Sequence, residues 1–361
     1  MAAKHDLRAD RRAPAHAAPP TRRPLSNAAL AVIATFALAA ILCVMGLVSH
    51  AVESSRSAAD GSADAGSDAT LATTQSASSD ATSAMLFELA SRYAAEGEAT
   101  QKSAEVQQAI ESVTAGYGDS VAVAFVSLAD TDVSAGVNGS AAMHSASVLK
   151  LLILATLLDE AAAGQVDLEE TLTVEPDDIV DGTGVIQAQG SGTTYTLRDL
   201  AYLMITQSDN VAANMLIERL GFDAINAEAA SLGLSGTHLS NEFMSSKPGV
   251  GGYNTVSADD MARLLELFAT AQVADRDLCA FAVQALADQQ IHGAIGDGVP
   301  DGVTVAHKTG SYGSVENDAA IVFAGEPYVL VVLCNDIDNS TADQVTAQVS
   351  AAVYAVTNGA A

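Results

Sequence analysis

The stretch Ser147-Val-Leu-Lys-Leu-Leu-Ile-Leu-Ala-Thr-Leu-Leu-Asp-Glu-Ala-Ala-Ala163 is the most apolar helical run outside the N-terminus. Leu149, Leu151, Leu152, Ile153, Leu154, Leu157 and Leu158 leave almost no polar face, so the sequence predicts a helix buried on most sides. A lysine in the first turn of such a helix has no packing role. Residues three apart share a helix face, so the Lys150 amine can reach the Ser147 hydroxyl. The helix N-terminus favours negative charge on that oxygen, which outlines an activated nucleophile. Taken alone, the pair also fits an N-cap serine beside a lysine that snorkels to solvent.

Upstream, Val106, Ile110 and Val113 recur at helical spacing, giving a first amphipathic helix from near Lys102 to near Gly116. Val121–Leu128 and Val133–Val137 then read as two strands around a turn at residues 129–132. Downstream, a polar, Gly-rich passage covers 164–195. Helix Thr196–Gln207 ends at Ser208-Asp209-Asn210, and a further helix, Val211–Leu220, follows at once. Residues 233–256 read as one long loop, of the kind that is usually functional. Helices at 257–270 and 277–290 lead to a strand from Val303 into His307-Lys308-Thr309-Gly310. Strands Asp318–Phe323 and Tyr328–Leu333 and a helix Ala342–Val356 close the chain. Strands, a block of helices, more strands and a last helix make an α+β domain, its antiparallel sheet assembled from both ends.

Residues 28–48 are 21 uncharged, strongly apolar positions, long enough for a transmembrane helix. Lys4, Arg8, Arg11, Arg12, Arg22 and Arg23 precede it against Asp6 and Asp10, which predicts a cytoplasmic tail at 1–27 and an extracytoplasmic remainder. A retained single-pass anchor is the expectation. Ser49-His50-Ala51 leaves open secretion after cleavage near Ala51. Residues 49–101 are rich in Ser, Ala and Asp, a spacer that cannot bury a core. The folded domain is expected over 102–361.

Six of the 16 basic and two of the 44 acidic residues precede residue 50, which leaves the exported part near −32. That charge excludes nucleic acid as a partner. No Cys/His cluster has metal-ligand spacing, so no metal or cofactor is expected. The seven histidines read as scattered surface residues. Cys279 and Cys334 are the only cysteines of the exported part and allow at most one bridge.

Ser147-x-x-Lys150, Ser208-Asp209-Asn210 and Lys308-Thr309-Gly310 occur in one order, on a buried helix start, an interhelix turn and a strand. With Asp209-Asn210-x-Ala-Ala-Asn214 and the terminal strands and helix, they make residues 102–361 resemble the class A serine β-lactamases, within the penicillin-recognising serine hydrolases. The resemblance implies a helical subdomain beside a five-stranded antiparallel sheet, with the active site in the groove between them. It implies Ser147 as nucleophile, Lys150 as base and Ser208 as the proton path to the leaving nitrogen. Asn210 would hold the substrate amide and Lys150. Lys308 and Thr309 would meet the substrate carboxylate, Gly310 would let substrate lie along the strand edge, and the Ser147 and Ser311 amides would form the oxyanion hole.

Two departures from the family pattern stand out. Class A enzymes carry Glu-x-x-Leu-Asn, whose glutamate activates the deacylating water. Here the loop reads Glu242-Phe243-Met244-Ser245-Ser246, which makes Glu242 the candidate base without the Leu-Asn pair. Family members often carry an arginine on the strand after Lys-Thr-Gly. The matching positions are Asn317 and Asp318, with Glu316 alongside, and Arg276 or His292 are the cations that could compensate.

The expected function is a membrane-anchored serine hydrolase opening β-lactam amides through a Ser147 acyl-enzyme, with slow deacylation if no base is well placed. A penicillin-binding D,D-carboxypeptidase or endopeptidase on peptidoglycan peptides, and a non-catalytic wall or β-lactam sensor, are the alternatives. The catalytic domain is expected to be monomeric.

Overall fold

The structure is a computed structural model that describes residues 97–247 and 249–359. The tail 1–27, the apolar run 28–48 and most of the spacer lie outside the described residues. Among the described residues no helix is long and apolar enough to cross a membrane.

Helix α1 covers residues 97–114, so the helix expected from near Lys102 is already formed at 97. Strands β1 (Val121–Ser127), β2 (Ser134–Val137) and the short β3 (Met143–His144) follow. A 3₁₀ turn, Ala146–Leu149, opens into helix α2 (Lys150–Ala162). The Gly-rich passage holds a small hairpin, β4 (Thr171–Thr173) with β5 (Thr194–Thr196), enclosing the single-turn α3 (Ile186–Gln189). Then come α4 (Leu197–Thr206), α5 (Asn210–Leu220) and α6 (Phe222–Ser231), the last not foreseen from sequence. The long loop ends in β6 (Thr255–Val256), which pairs with β3. Helices α7 (Ala258–Ala269) and α8 (Arg276–Ala287) precede strands β7 (Thr304–Tyr312), β8 (Val315–Phe323) and β9 (Tyr328–Asn335), and α9 (Asn339–Asn358) ends the fold.

The main sheet has five antiparallel strands in the order β2-β1-β9-β8-β7. The first strand therefore pairs with the last, Val123 opposite Val332, which joins the two ends of the domain. Alternate residues of β9 enter two separate cores. Val329, Val331 and Leu333 face the helical block, while Tyr328, Leu330, Val332 and Cys334 face α1 and α9. A strand buried on both faces reads as a continuous apolar run, which is why Tyr328–Leu333 shows no alternation in sequence.

Helix α2 is the centre of the larger core, with every residue from Leu151 to Leu158 buried. Full burial of one Leu or Ile side chain is worth about 1.5–3 kcal/mol, and this helix carries six of them over that span. Strand β7, at the edge of the sheet, lies against the 3₁₀ turn before α2. A Cβ on Gly310 would stand 2.9 Å from Ser145 O and 2.9 Å from Ser147 N. The glycine expected to admit substrate backbone thus admits the protein's own turn.

Cys279 and Cys334 are both free thiols, buried in different cores, so the bridge allowed by their number is not formed. The surface reading of the histidines also fails at two positions. His307 is largely buried and paired to Asp318 at 3.0 Å, and His144 is half-buried and stacked on Tyr312.

Candidate active site

A cavity of about 470 Å³ opens where β7, the α4–α5 junction, the 3₁₀ turn and the long loop meet. Ser147, Ser208, Asn210, Glu242, Thr309 and Ser311 all line it. Lys150 and Lys308 lie fully buried behind its floor, and Gly310 is buried against the nucleophile turn. The structure therefore brings the three motifs to one place from four segments of chain.

Ser147 enters its turn through Ala146, which has φ 41°, a left-handed conformation that costs a residue with a Cβ about 1–2 kcal/mol. Several hydrogen bonds hold this turn. Ala146 N–H donates to His144 Nδ1 at 3.0 Å, and Ser145 N–H to Asn254 O at 2.9 Å. Asn317 Nδ2 donates to His144 O at 3.0 Å and Ser145 O at 3.2 Å. Ser147 itself is half-buried and faces the cavity.

Lys150 Nζ donates to Ser208 O at 2.7 Å, to Asn210 Oδ1 at 2.8 Å and to Ser208 Oγ at 3.3 Å. These three contacts surround the amine, and the hydrogen bond expected to Ser147 Oγ is not made. Burial, reinforced by the nearby Lys308 charge, holds the Lys150 amine well below the ordinary lysine range; the Asp209 carboxylate acts in the opposite sense. Lys308 Nζ donates to Thr309 O at 2.7 Å and to Ser208 Oγ at 3.1 Å. Its burial lowers it to about 7, with Asp318 opposing the shift. Ser208 Oγ thus lies between two amines.

The α4–α5 junction supplies this arrangement through Asp209. Its fully buried carboxylate caps α5 by accepting from Ala212 N at 3.0 Å, and also accepts from Val185 N and Ile186 N at 2.7 and 2.9 Å. Ser208 adopts φ 51°, and its carbonyl is held by Lys150 and by Thr183 Oγ1 at 2.6 Å.

The long loop departs from expectation. Asn214, one turn beyond Asn210 on α5, clamps Phe243: its Nδ2 donates to Phe243 O and its Oδ1 accepts from Phe243 N, both at 2.8 Å. The Phe243 ring then covers Lys150 Nζ at 4.6 Å from the ring centroid. Glu242 lines the cavity one residue earlier. It makes no hydrogen bond to Lys150 or Ser147, and its Oε2 is buried without a partner. An aromatic ring, not the Glu242 carboxylate, occupies the space against the lysine. Asn210 and Asn214, at i and i+4, share one face of α5, which brings both to the site.

The strand after Lys-Thr-Gly is also reassigned. Asn317 points to the nucleophile turn, and Asp318 points away from the cavity, to His307 Nδ1 at 3.0 Å and Ile295 N at 3.0 Å. Glu316, paired with Ser311 across the strands, is the β8 residue that lines the cavity. Neither suggested compensating cation reaches it: His292 pairs with Asp297, and Arg276 is exposed at the start of α8.

The sequence profile described as the Beta-lactamase enzyme family matches residues 105–357 of this chain. The chain belongs to that family. It is 31% identical over 201 residues to a β-lactamase of Bacillus licheniformis, a match covering 52% of this chain and 62% of that protein. A β-lactamase crystal structure from Sphaerobacter thermophilus superposes with a TM-score of 0.64 at 27% identity, over 70% of this chain and 97% of that one. A mutant of PBP-A, solved as its acyl-enzyme complex with penicillin G, gives a TM-score of 0.63 at 30% identity, over 69% and 94%. The fold is that of the β-lactamases and transpeptidases.

Proposed function

We propose that this β-lactamase-like protein is a serine acyl-transfer hydrolase that β-lactams acylate at Ser147 and that releases the acyl group slowly. Ser147 Oγ attacks the lactam carbonyl, and its proton passes to the neutral Lys150 amine. The C–N bond then breaks, and the Ser208 hydroxyl, between two amines, delivers a proton to the leaving nitrogen. Water later hydrolyses the Ser147 ester. Asn210 would hold the substrate amide, Lys308 and Thr309 its carboxylate, and the Ser147 and Ser311 amides the oxyanion.

The observation that carries this reading is the pair of buried, depressed lysines sharing Ser208 Oγ at 3.3 and 3.1 Å. A purely structural cluster has no use for two fully buried amines at one hydroxyl, since burying a charge costs several kcal/mol, of order 5 or more. Slow release follows from Phe243, whose ring stands where a carboxylate could share a water with Lys150. The same feature supports the second reading, a D,D-carboxypeptidase or endopeptidase of wall peptides that β-lactams trap. Residues 28–48 would anchor the enzyme, with its hydrolase domain outside the cell and the spacer giving reach.

The test is intact-protein mass and lactam absorbance over time, on the full chain with benzylpenicillin and a Ser147→Ala control. A Ser147-dependent adduct that outlives the loss of free lactam is expected. Steady turnover without an adduct would refute slow release, and absence of both adduct and turnover would refute the acyl-enzyme.

A further inference from the structure

Glu316 has a setting that the chemistry above leaves unused. It is half-buried, it lines the substrate cavity, and among the described residues it has no ion-pair partner. Its one polar contact is the Ser311 hydroxyl, and burial holds its carboxyl above the usual range, with Asp343 and Asp318 adding to the effect. The carboxylate-binding candidates Thr309 and Lys308 lie two and three residues back along β7 from Ser311, Glu316's cross-strand partner. Two residues along a strand span roughly 7 Å. A substrate carrying only a carboxylate is attracted by Lys308 and repelled by Glu316. A substrate that adds a cationic group beside that carboxylate satisfies both.

The neighbouring wall fits such a group. Tyr312, next along β7, is 57% exposed and stacks on His144 with centroids 5.7 Å apart and planes at 9°. Tyr253, 74% exposed, meets the same imidazole at 5.4 Å. All three line the cavity. His144 accepts a hydrogen bond at Nδ1 from Ala146 N–H, so it is the neutral tautomer and places no positive charge there. Exposed aromatic faces in the same cavity as an unpaired carboxylate are a recognition surface for an organic cation.

We infer that Glu316, in the cavity that Tyr312 and Tyr253 also line, forms a subsite for a positively charged group on the substrate, so that the protein selects zwitterionic acyl donors over simple monoanions. This rests on the proposed acyl-enzyme chemistry for its rate readout but not for its binding readout. Cephaloridine and cephalothin share a thienylacetyl side chain and differ at C3, a pyridinium-methyl against an acetoxymethyl group. The experiment measures the second-order rate of Ser147 acylation by each, on the full chain and on Glu316→Gln, so that intrinsic reactivity cancels in the ratio.

The wild type is expected to favour cephaloridine, and the preference should fall about fivefold in Glu316→Gln. Acylation by benzylpenicillin should hold or rise in that variant, which separates lost selectivity from lost folding. An unchanged ratio would overturn the inference. Equilibrium binding of both cephalosporins to Ser147→Ala, with and without Glu316→Gln, asks the same question without chemistry. If no lactam acylates the wild type, the acyl-enzyme proposal fails and this binding ratio alone decides. Equal binding of the two, or binding of neither, would overturn the subsite.

Discussion

The floor and the rim of the cavity treat charge in opposite ways. At the floor, Lys150 and Lys308 are fully buried, share Ser208 Oγ and are driven toward the neutral amine. At the rim, Glu316 and the exposed Tyr253 and Tyr312 stand near solvent, with no cation among the described residues paired to the acid. The floor is built from backbone carbonyls, an asparagine and a capped helix, so each of its groups is fixed by several bonds. The rim is built from side chains with few partners. Chemistry belongs to the first setting, where desolvation shifts proton affinity, and discrimination between substrates to the second, where charge is still felt across water.

The largest effect should come from breaking the floor. Lys150→Met removes the base and leaves Asn210 Oδ1 without its donor and Ser208 O with Thr183 Oγ1 alone. Acylation by benzylpenicillin should fall by about 10²–10⁴-fold, measured as the rate of adduct formation. Retention of the wild-type rate would exclude Lys150 as the base.

Next is the joint between floor and sheet. In Gly310→Ala the added Cβ meets Ser145 O, Ser147 N and Val148 N at 2.9 to 3.0 Å, so the nucleophile turn must move. A displacement of this kind should cost about 10² in acylation and about 1–3 kcal/mol in stability, read from adduct kinetics and denaturant melts.

Phe243→Glu puts a carboxylate against Lys150 while Asn214 still holds the backbone. Decay of the acyl-enzyme should speed up at least about tenfold, followed by mass after removal of free lactam. The same test on Glu242→Gln should leave decay unchanged, because Glu242 makes no hydrogen bond to either Ser147 or Lys150. A strong slowing there would return the base role to Glu242.

The lysines also tie the floor to pH. A native amine at about 7 against an unfolded value of about 10.4 means that the unfolded chain binds more protons between those values. Stability therefore rises with pH from about 7 upward, by at most about 1.4 kcal/mol per pH unit for one lysine. Cys334, pushed up to about 12 by burial, opposes this only once the unfolded thiol ionises, above about pH 8.5. Denaturant melts from pH 7 to 8.5 should show the rise, and Lys308→Met should lower its slope, with Lys150 keeping a share of its own.

The smallest effect is expected at His144, which touches both regions. Its imidazole accepts from Ala146 N–H and stacks on Tyr312, and burial lowers its proton affinity, which keeps it neutral at physiological pH. His144→Phe keeps the stacking and loses the acceptor, so acylation should drop a few-fold, about 0.5–1.5 kcal/mol. An unchanged rate would show that the turn holds without it.

Sequence alone determined the parts that depend on local pattern. The apolar run after Ser147 required a buried helix, and a lysine in its first turn had no packing reason to be there. The helix break at Ser208-Asp209-Asn210 and the apolar strands of the C-terminal half were legible because caps and short apolar runs act over a few residues. So were the three motifs and the five-stranded α+β frame.

Tertiary structure decided what depends on which side chains meet across the chain. Register put Glu316 in the cavity and turned Asn317 to the opposite face, since neighbouring residues on a strand alternate faces, while Asp318, on the same face as Glu316, is taken up by His307 and the Ile295 amide. Asn214 chose Phe243 over Glu242 for the place against Lys150, through two hydrogen bonds spanning 29 residues. The two lysines depart from ordinary proton affinity only because folding removes water from both and brings them to one hydroxyl, a consequence of burial and distance that no spacing in the sequence encodes.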